Sequence, residues 1–281
     1  MAILIADSGS TKTDWCLVEK GVVMKTVTTQ GINPFLESDE RIENVVENEL
    51  FTQIATNDVE QVYYYGSGCR SNMIERMNGV LSKLFPLART QCYSDLTGAA
   101  RALCGNADGI VCILGTGSNS CVYEQGHITA NVPPLGYILG DEGSGAALGK
   151  MLVNALLKGR LPEQMRQDFM HATSLDLETI IKKVYREPMA NRFLASLSRY
   201  VYRNKDNESL SAMVKENFRQ FFINNIERYK RRDLAVNAIG SIAFFYRDEL
   251  KQVAKEEGYE VKEIMQRPMN GLVNYHSQSD D

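Results

Sequence analysis

The sequence has few of the residues that build metal centres and histidine-based catalytic triads. It contains three histidines, His127, His171 and His276, which lie far apart along the chain. Its six cysteines are scattered, mostly inside apolar runs, and no two of them form a C-x-x-C pair. We therefore expect neither a zinc site nor a His-based triad, and we interpret the cysteines as buried thiols in a reducing compartment.

Long apolar runs and an excess of positive charge are also missing. No segment reaches the roughly 18 apolar residues of a membrane-spanning helix, and the chain begins with a strand-like run, AILIAD, instead of a basic, cleavable leader. The formal net charge is −4, whereas nucleic acids and anionic membranes attract basic surfaces. We predict a cytoplasmic protein that binds neither nucleic acid nor membrane.

Strand-like and helix-like segments alternate through the first third of the chain. Runs of apolar or alternating residues predict strands, and apolar residues at helical spacing predict helices. The predicted strands lie at 2–6, 14–29, 59–68 and 88–95, the first two as hairpins, and the predicted helices lie at 39–54, 71–85 and 96–105. This alternation is typical of an α/β fold.

A second unit of the same kind begins after Gly105. Residues 110–126, IVCILGTGSNSCVYEQG, repeat the pattern of residues 3–21, ILIADSGSTKTDWCLVEKG: an apolar run, a Gly-Ser turn and a second apolar run. The repeat indicates a duplicated domain. Because many hairpins share this pattern, a chance resemblance between two hairpins remains the alternative.

Helical patterns dominate the last half of the chain. We predict a helix that starts at a Ser144 cap, and residues 208–232 carry an amphipathic helical stripe. Residues 234–258 indicate a strand, a Gly-Ser turn and a helix, and the polar, acidic end at 276–281 is expected to be disordered. The predicted domains are 1–105 and 106–281, the second enlarged by helices.

The stretch IADSGSTKTDW, residues 5–15, suggests a phosphate-binding loop, but it is not a P-loop. Lys12 follows Thr11 instead of a glycine, and the next residues indicate a strand where a P-loop leads into a helix. Glycine lets the backbone approach a phosphate, and successive N–H groups form an anion nest. The turns at 9–12 and 115–118 both offer this, and together they could clamp a nucleoside triphosphate, although a polar hairpin needs no ligand.

Three aspartates stand where strands meet turns or helices. Asp7 is suited to hold Mg²⁺ through water beside phosphates. The position of Asp95 is equally typical of a helix N-cap and of a base that accepts a proton from an attacking sugar hydroxyl. Asp141 reads either as an acidic residue at a helix start or as an acceptor for sugar hydroxyls.

Seven segments in this order resemble the sugar-kinase/Hsp70/actin superfamily and, more closely, the N-acetylglucosamine kinases of the BadF/BadG/BcrA/BcrD ATPase group. They are DSGSTKTDW, GINPF, GSG, SDLTGAA, GTGSNS, GDEGS and GSIA, and the resemblance runs from Ala2 to about Tyr275. It implies two ribonuclease-H-like (actin-like ATPase) domains with a duplicated sheet and a ligand cleft between them. It also implies ATP and Mg²⁺ as cofactors, phosphorylation of an amino sugar at its 6-hydroxyl, and a homodimer.

The resemblance implies roles for individual residues as well. Asp95 matches the catalytic base that deprotonates the sugar 6-hydroxyl. The residues matching ATP-binding positions are Gly9, Ser10, Thr11, Lys12, Gly115, Thr116, Gly117, Leu194, Gly240 and Ser241. The residues matching the sugar site are Asn33, Ser67, Gly68, Asp95, Ser118, Asn119, Gly136 and Asp141.

One departure from the family concerns the sugar. Family members carry Gly-Trp-Gly before GDEG, whereas this chain has Pro134-Leu135-Gly136, without an aromatic side chain to stack on the sugar. N-acetylglucosamine is the first expectation, and glucosamine, N-acetylmuramic acid and glucose are alternatives.

Two alternatives from other functional classes are considered. An ATPase activator of a dehydratase-type enzyme would need cysteines that hold an iron–sulfur cluster, and Cys104 and Cys112 lack such spacing. A sugar-responsive repressor would need a helix-turn-helix ahead of the first strand.

Overall fold

The structure, a computed structural model, describes residues 2–9, 11–70 and 72–278. The chain divides into two compact units. Unit 1 takes the chain up to Ala107 together with Gln125–His127 and the segment from Arg267 onward. Unit 2 consists of Asp108–Glu124 and Ile128–Gln266.

Unit 1 is built around a five-stranded mixed sheet with the order β3-β2-β1-β4-β5. Its strands are β1 (Ala2–Ser8), β2 (Lys12–Glu19), β3 (Val22–Gln30), β4 (Val59–Gly66) and β5 (Arg89–Ser94). Its first helices are α1 (Asp39–Val45), extended by a π-helical turn at Val46–Leu50, α2 (Asn72–Leu84) and α3 (Asp95–Cys104). Strands β1, β2 and β3 pair antiparallel, whereas β1, β4 and β5 pair parallel.

Unit 2 contains a second five-stranded sheet, with the order β10-β9-β6-β7-β8. Its strands are β6 (Gly109–Leu114), β7 (Ser118–Glu124), β8 (His127–Ala130), β9 (Val236–Ile239) and β10 (Val261–Met265). Strand β6 pairs antiparallel with β7 and parallel with β9, as β1 does with β2 and β4. The two sheets therefore share one strand order, which confirms the duplication predicted from the repeated hairpin.

Helices fill the chain between β8 and β9 and cover the second sheet. They are α4 (Gly136–Leu139), α5 (Gly145–Leu157), α6 (Glu163–Thr173), α7 (Leu177–Tyr185), α8 (Ala190–Ser196), α9 (Ser198–Arg203), α10 (Glu208–Phe221) and α11 (Glu227–Tyr229), with a π-helical turn at Phe222–Ile226. After β9 come α12 (Ser241–Phe245) and α13 (Arg247–Glu256), and α14 (Met269–Ser277) ends the chain. The predicted Ser144 cap is confirmed, since its hydroxyl accepts the N–H of Ala147 at 3.1 Å.

Strand β1 is buried on both of its faces. Successive side chains of a strand point to opposite sides of the sheet. Leu4 and Ala6 therefore pack into one apolar cluster with Trp15, whereas Ile3 and Ile5 pack into a second cluster on the other face. Two-sided burial explains why the run AILIA is continuously apolar.

The last helix lies in unit 1, where it packs against α3 and β1. The contact with α3 is so close that a Cβ on Gly271 would lie 2.4 Å from the carbonyl oxygen of Ala102. The predicted division gave all of 106–281 to the second domain and therefore differs from this one. Local sequence patterns do not reveal that a C-terminal helix returns to the first sheet.

The expectation of disorder at 276–281 is wrong at its beginning. His276 lies in the last turn of α14, is 5% exposed, and has its Nε2 atom 2.8 Å from the Tyr65 hydroxyl. Residues 279–281 lie outside the described residues. The polar composition of residues 276–281 did not indicate that His276 is buried.

Five of the six cysteines are buried, and Cys104 is partly buried. In the described part of the chain, no helix combines the length and apolar character needed to cross a membrane.

Close helix packing at Gly149 yields a stability prediction. A Cβ at this position of α5 would lie 2.0 Å from the backbone carbonyl oxygen of Leu194 on α8, which cannot move without shifting its helix. Gly149→Ala should therefore lower the free energy of unfolding by about 1–3 kcal/mol. Exposed Gly79 of α2, where an added Cβ would meet nothing within 4 Å, is the matched control.

Gly79→Ala should raise stability by about 0.5–1 kcal/mol, because alanine is the better helix former. Urea unfolding followed by circular dichroism measures both variants. Equal effects of the two substitutions would contradict the predicted clash.

Candidate functional site

The turn between β1 and β2 is a tight hairpin held by backbone hydrogen bonds. The Gly9 N–H donates to the Lys12 carbonyl at 3.0 Å, and the Thr11 carbonyl accepts the Gly31 N–H at 3.1 Å. Ser10, one of the predicted phosphate-loop residues, lies outside the described residues. The Lys12 ammonium forms an ion pair with the Asp14 carboxylate, so its charge is already partly neutralised.

Asp7 stands at the end of β1, paired across the hairpin with Asp14. Burial, followed by the nearby charges of Asp14 and Asp95, raises the pKa of Asp7 to about 7. Lys12 and Arg267 offset only part of this effect. Within the described residues, no donor forms a hydrogen bond with the Asp7 carboxylate. A carboxylate in this environment is suited to a cation that arrives with a ligand.

The residues around Asp7 fit Mg²⁺ only as a partner of phosphates. Among the described residues, no group of three or more His, Cys, Asp or Glu side chains could hold a metal ion. Mg²⁺ beside phosphates, however, needs only one or two carboxylates, because waters and phosphate oxygens supply its other ligands. The single carboxylate of Asp7 meets that requirement.

Asp95 is the first residue of α3, but it does not cap that helix. The Ser94 hydroxyl accepts the N–H of Thr97 at 3.1 Å and so takes the N-cap role. One oxygen of Asp95 accepts the Leu96 N–H at 2.9 Å, and the other accepts the Ser67 hydroxyl at 3.0 Å. The N-cap of α3 is therefore Ser94 and not Asp95.

The predicted sugar residues of unit 1 lie together. Ser67 contacts Asp95, and the adjacent Gly68 contacts Asn33 so closely that a Cβ on Gly68 would lie 2.0 Å from the Asn33 Oδ1 atom. Gly68 also has a φ of +84°, which favours glycine. Asn33 is oriented by the Phe35 N–H, which donates to its Oδ1 at 3.0 Å. The segments around Asn33 and Asp95, far apart in sequence, are therefore both in contact with the Ser67-Gly68 turn.

The second predicted phosphate loop, between β6 and β7, is held by the start of α5. The Gly115 carbonyl accepts the Gly145 N–H at 2.8 Å, and the Thr116 carbonyl accepts the Ala146 N–H at 3.1 Å. Across the loop, the Gly115 N–H donates to the Gly117 carbonyl at 3.0 Å. These bonds fix the loop and leave the exposed Thr116 side chain open to solvent.

Asp141 packs against the same loop. A Cβ on Gly117 would lie 2.9 Å from the Asp141 Oδ2 atom, and the Asp141 Oδ1 atom accepts the Ser118 N–H at 3.3 Å. Asp141 is buried in a left-handed backbone conformation with φ of 59°, and burial raises its pKa. A strained, buried carboxylate is an arrangement that often marks a functional position.

The other predicted sugar residues of unit 2 are less tightly joined. The Gly136 and Asp141 N–H groups both donate to the Pro134 carbonyl, at 2.8 and 3.2 Å. Asn119 accepts a hydrogen bond from the Asn131 side chain at 3.0 Å. Leu135, which replaces the aromatic residue of the family pattern, is 62% exposed.

Unit 2 contains a cavity of about 540 Å³, a size typical of small-molecule sites. Predicted residues Gly115, Thr116 and Ser241 line it. Gly240, with φ of +118°, packs against the residue before the loop. A Cβ there would lie 2.3 Å from the Leu114 carbonyl oxygen. The segment matched to adenosine binding and the second phosphate loop therefore meet in one place.

Leu194, predicted to lie beside the nucleotide base, packs in the interior of unit 2. It is 4% exposed in the apolar interior, and it is not among the described residues that line the cavity. Other residues of α8 and α9 form that wall: Arg192, Ala195, Ser196, Ser198, Arg199, Tyr202 and Arg203. Their spacing of three and four residues is the signal that could have revealed them, but it is equally typical of a solvated helix face.

Comparison with solved structures places the chain among known folds. A protein from Porphyromonas gingivalis, provisionally named an N-acetylglucosamine kinase, is 43% identical over 99% of this chain and 100% of its own, with a TM-score of 0.96. A protein of the same provisional name from Chromobacterium violaceum is 18% identical over 98% of both chains, with a TM-score of 0.74. A ROK family glucokinase from Streptomyces griseus, in complex with glucose and AMPPNP, is 15% identical over 98% of both chains, with a TM-score of 0.59.

The latter two similarities concern the fold alone. No protein-family model and no protein with curated annotation matches the chain.

The raised pKa of Asp7 predicts an unusual pH dependence of stability. Because the folded state holds this proton up to about pH 7 and the unfolded state releases it near 3.8, ionising Asp7 should weaken folding as the pH rises between these values. Asp7→Asn, which mimics the protonated form, should therefore raise the free energy of unfolding at about pH 8 by up to about 4 kcal/mol. At about pH 4 the variant should match the unsubstituted protein.

Asp14→Asn is the matched control with the opposite sign. Although burial alone would raise it, the hydrogen bonds from Lys12 and Thr28 hold the pKa of Asp14 below its usual value, so its charge stabilises the fold at neutral pH. Urea unfolding at both pH values, without nucleotide or divalent cations, measures the difference. Destabilisation by Asp7→Asn at about pH 8 would show that the Asp7 charge is not unfavourable.

Proposed function

The chain belongs to the N-acetylglucosamine kinase family of actin-like ATPases, and from this we propose that it transfers the γ-phosphoryl group of ATP to the 6-hydroxyl of an amino sugar. The identity of 43% over almost the whole chain supports a sugar kinase. N-acetylglucosamine is the proposed acceptor, with N-acetylglucosamine 6-phosphate and ADP as products.

The observation that carries the proposal is the set of contacts around Asp95. The residue stands at the carboxyl end of a parallel strand, where α/β proteins place their ligands. It accepts a hydrogen bond from Ser67, and the next residue, Gly68, contacts Asn33. Since the Ser94 hydroxyl caps α3, the helix does not need the Asp95 carboxylate as its N-cap, and we assign that carboxylate a role in the reaction.

In the proposed reaction, Asp95 acts as the general base. It accepts the proton of the sugar 6-hydroxyl while that oxygen attacks the γ-phosphorus, and the bond from the γ-phosphorus to the bridging oxygen of ADP breaks. Asn33 supplies an acceptor for another sugar hydroxyl. The deprotonated 6-oxygen thus becomes the phosphate ester, and ADP leaves with the electron pair of the broken bond.

ATP is the proposed donor, and the cavity of unit 2 is its proposed site. Exposed aromatic side chains of Tyr202 and Phe245, with ring centroids 5.1 Å apart, offer apolar surface for the base. Gly115 and Thr116 supply the backbone and hydroxyl groups of the phosphate loop. Mg²⁺, held through water by Asp7, would neutralise phosphate charge.

A sugar panel tests the proposed acceptor. ADP release, coupled to a spectroscopic readout, is measured with N-acetylglucosamine, glucosamine, N-acetylmuramic acid and glucose as separate acceptors. We expect the highest kcat/KM with N-acetylglucosamine and the appearance of its 6-phosphate by mass spectrometry. Absence of sugar-stimulated turnover with all four acceptors would overturn the sugar-kinase proposal.

Replacing the proposed base separates chemistry from binding. Asp95→Asn should lower kcat by about 10²–10⁴-fold, the usual contribution of general base catalysis, while ADP binding stays within about twofold. Ser67→Ala is the matched control, because it removes a hydrogen bond to Asp95 and keeps the carboxylate. Its kcat should fall less than that of Asp95→Asn, and full activity of the latter would remove Asp95 from the base role.

A further inference from the structure

Arg192 on α8 carries a buried donor with no acceptor. Its Nη2 atom is shielded from solvent and has no hydrogen-bond partner in the part of the chain that the structure describes. The guanidinium group stays charged at all physiological pH values and can only donate. Since buried donors in folded proteins are almost always paired, the hydrogen-bonding capacity of this guanidinium is not used up within the fold.

The surroundings of Arg192 favour an anionic ligand. Arg192 lines the cavity of unit 2 together with Arg199 and Arg203, and no acidic residue is among its described lining. Within the described residues, none of these three arginines has a carboxylate partner within 4.0 Å. Elsewhere in unit 2, Arg219 and Arg231 do pair with carboxylates. The cavity therefore holds a concentration of unbalanced positive charge.

Arg192 lines the cavity from α8, the helix that packs against the start of α5. One helical turn further along α8, Ala195 adjoins Gly145, where an added Cβ would lie 3.2 Å from the Ala195 Cβ atom. The Gly145 N–H in turn holds the Gly115 carbonyl. Tyr202, which also lines the cavity, packs with Phe245 and Tyr246. Arg192 therefore lies one helical turn from the residue that contacts Gly145, whereas Arg199 and Arg203 lie within one turn of Tyr202.

A phosphate group bound at the glycine-rich loop would need a cation, and the Lys12 ammonium of the first hairpin is already paired. Lys12 was the candidate phosphate-binding cation of the sequence, and it is paired with Asp14. Arginine is well suited to the task, because its planar fork of N–H groups matches the geometry of phosphate oxygens.

Resting on the proposed function, we propose that Arg192 binds a phosphate group of the nucleotide donor. The Arg192 guanidinium, which lines the cavity, then donates to a phosphate oxygen, while the side chains of Tyr202 and Phe245 contact the base. Arg192 is accordingly a determinant of affinity for the phosphate chain and not for the nucleoside.

Calorimetric titration with ADP and with adenosine, both without sugar, tests this assignment. Arg192→Met keeps the apolar stem and removes the charge, and it should weaken ADP binding by about 10- to 100-fold, the usual range for a hydrogen bond between charged groups. Adenosine binding should stay within about twofold. Arg192→Lys, which keeps the charge but not the fork, should recover part of the ADP affinity.

Arg199→Met is the matched control, because Arg199 lines the same cavity but is exposed. Its ADP affinity should fall by less than about threefold, as expected for a solvated charge. Equal losses of ADP and adenosine affinity in Arg192→Met, unchanged ADP affinity, or an equal loss in Arg199→Met would each overturn the assignment. Failure of the unsubstituted protein to bind ADP would instead overturn the proposed nucleotide donor, and the assignment with it.

Discussion

The contact of three backbone segments at the end of strand β6 is the constraint on which the second unit depends. The first amides of α5 bind the carbonyls of Gly115 and Thr116 at 2.8 and 3.1 Å, and Gly240 presses on the Leu114 carbonyl. Because backbone meets backbone here, a Cβ at position 240 would have no room. The shape of the loop, the start of α12 and one wall of the cavity all follow from this contact.

In the first unit, the corresponding hairpin is dominated by the charges of acidic side chains. Its hairpin turn stands at the end of β1, where burial and the charges of Asp14 and Asp95 raise the pKa of Asp7. Asp14 is neutralised by Lys12, whereas Asp7 has a pKa raised to about 7. Such an arrangement costs folding free energy and is retained where function requires it. The unit therefore contains one carboxylate whose charge is unfavourable in the fold and one that is stabilised by an ion pair.

The comparison of sequence and structure is most instructive where local patterns were ambiguous. The repeated hairpin predicted the duplication, since strand–turn–strand patterns are local, and the shared strand order confirmed it. Asp95 could not be separated from a helix cap in the sequence, because both roles place a polar residue at a helix start. In the structure the Ser94 hydroxyl accepts the Thr97 N–H and caps the helix, and the role of Asp95 as a base stays a prediction. Leu194 is buried while Ala195 lines the cavity, because a rotation of about 100° per residue separates the core face of a helix from its other faces.

By itself, the sequence determined the α/β class, the two matched hairpins and the segments that carry polar turns, because these depend on neighbouring residues and on periodicity. Only the tertiary structure decided that Asn33 and Gly68 adjoin, that the last helix returns to the first sheet, and that Arg192 lines a cavity with a buried, unpaired nitrogen. These features join residues separated by tens to hundreds of positions. Their contacts depend on how helices and sheets pack, and packing leaves little trace in the local pattern of a single chain.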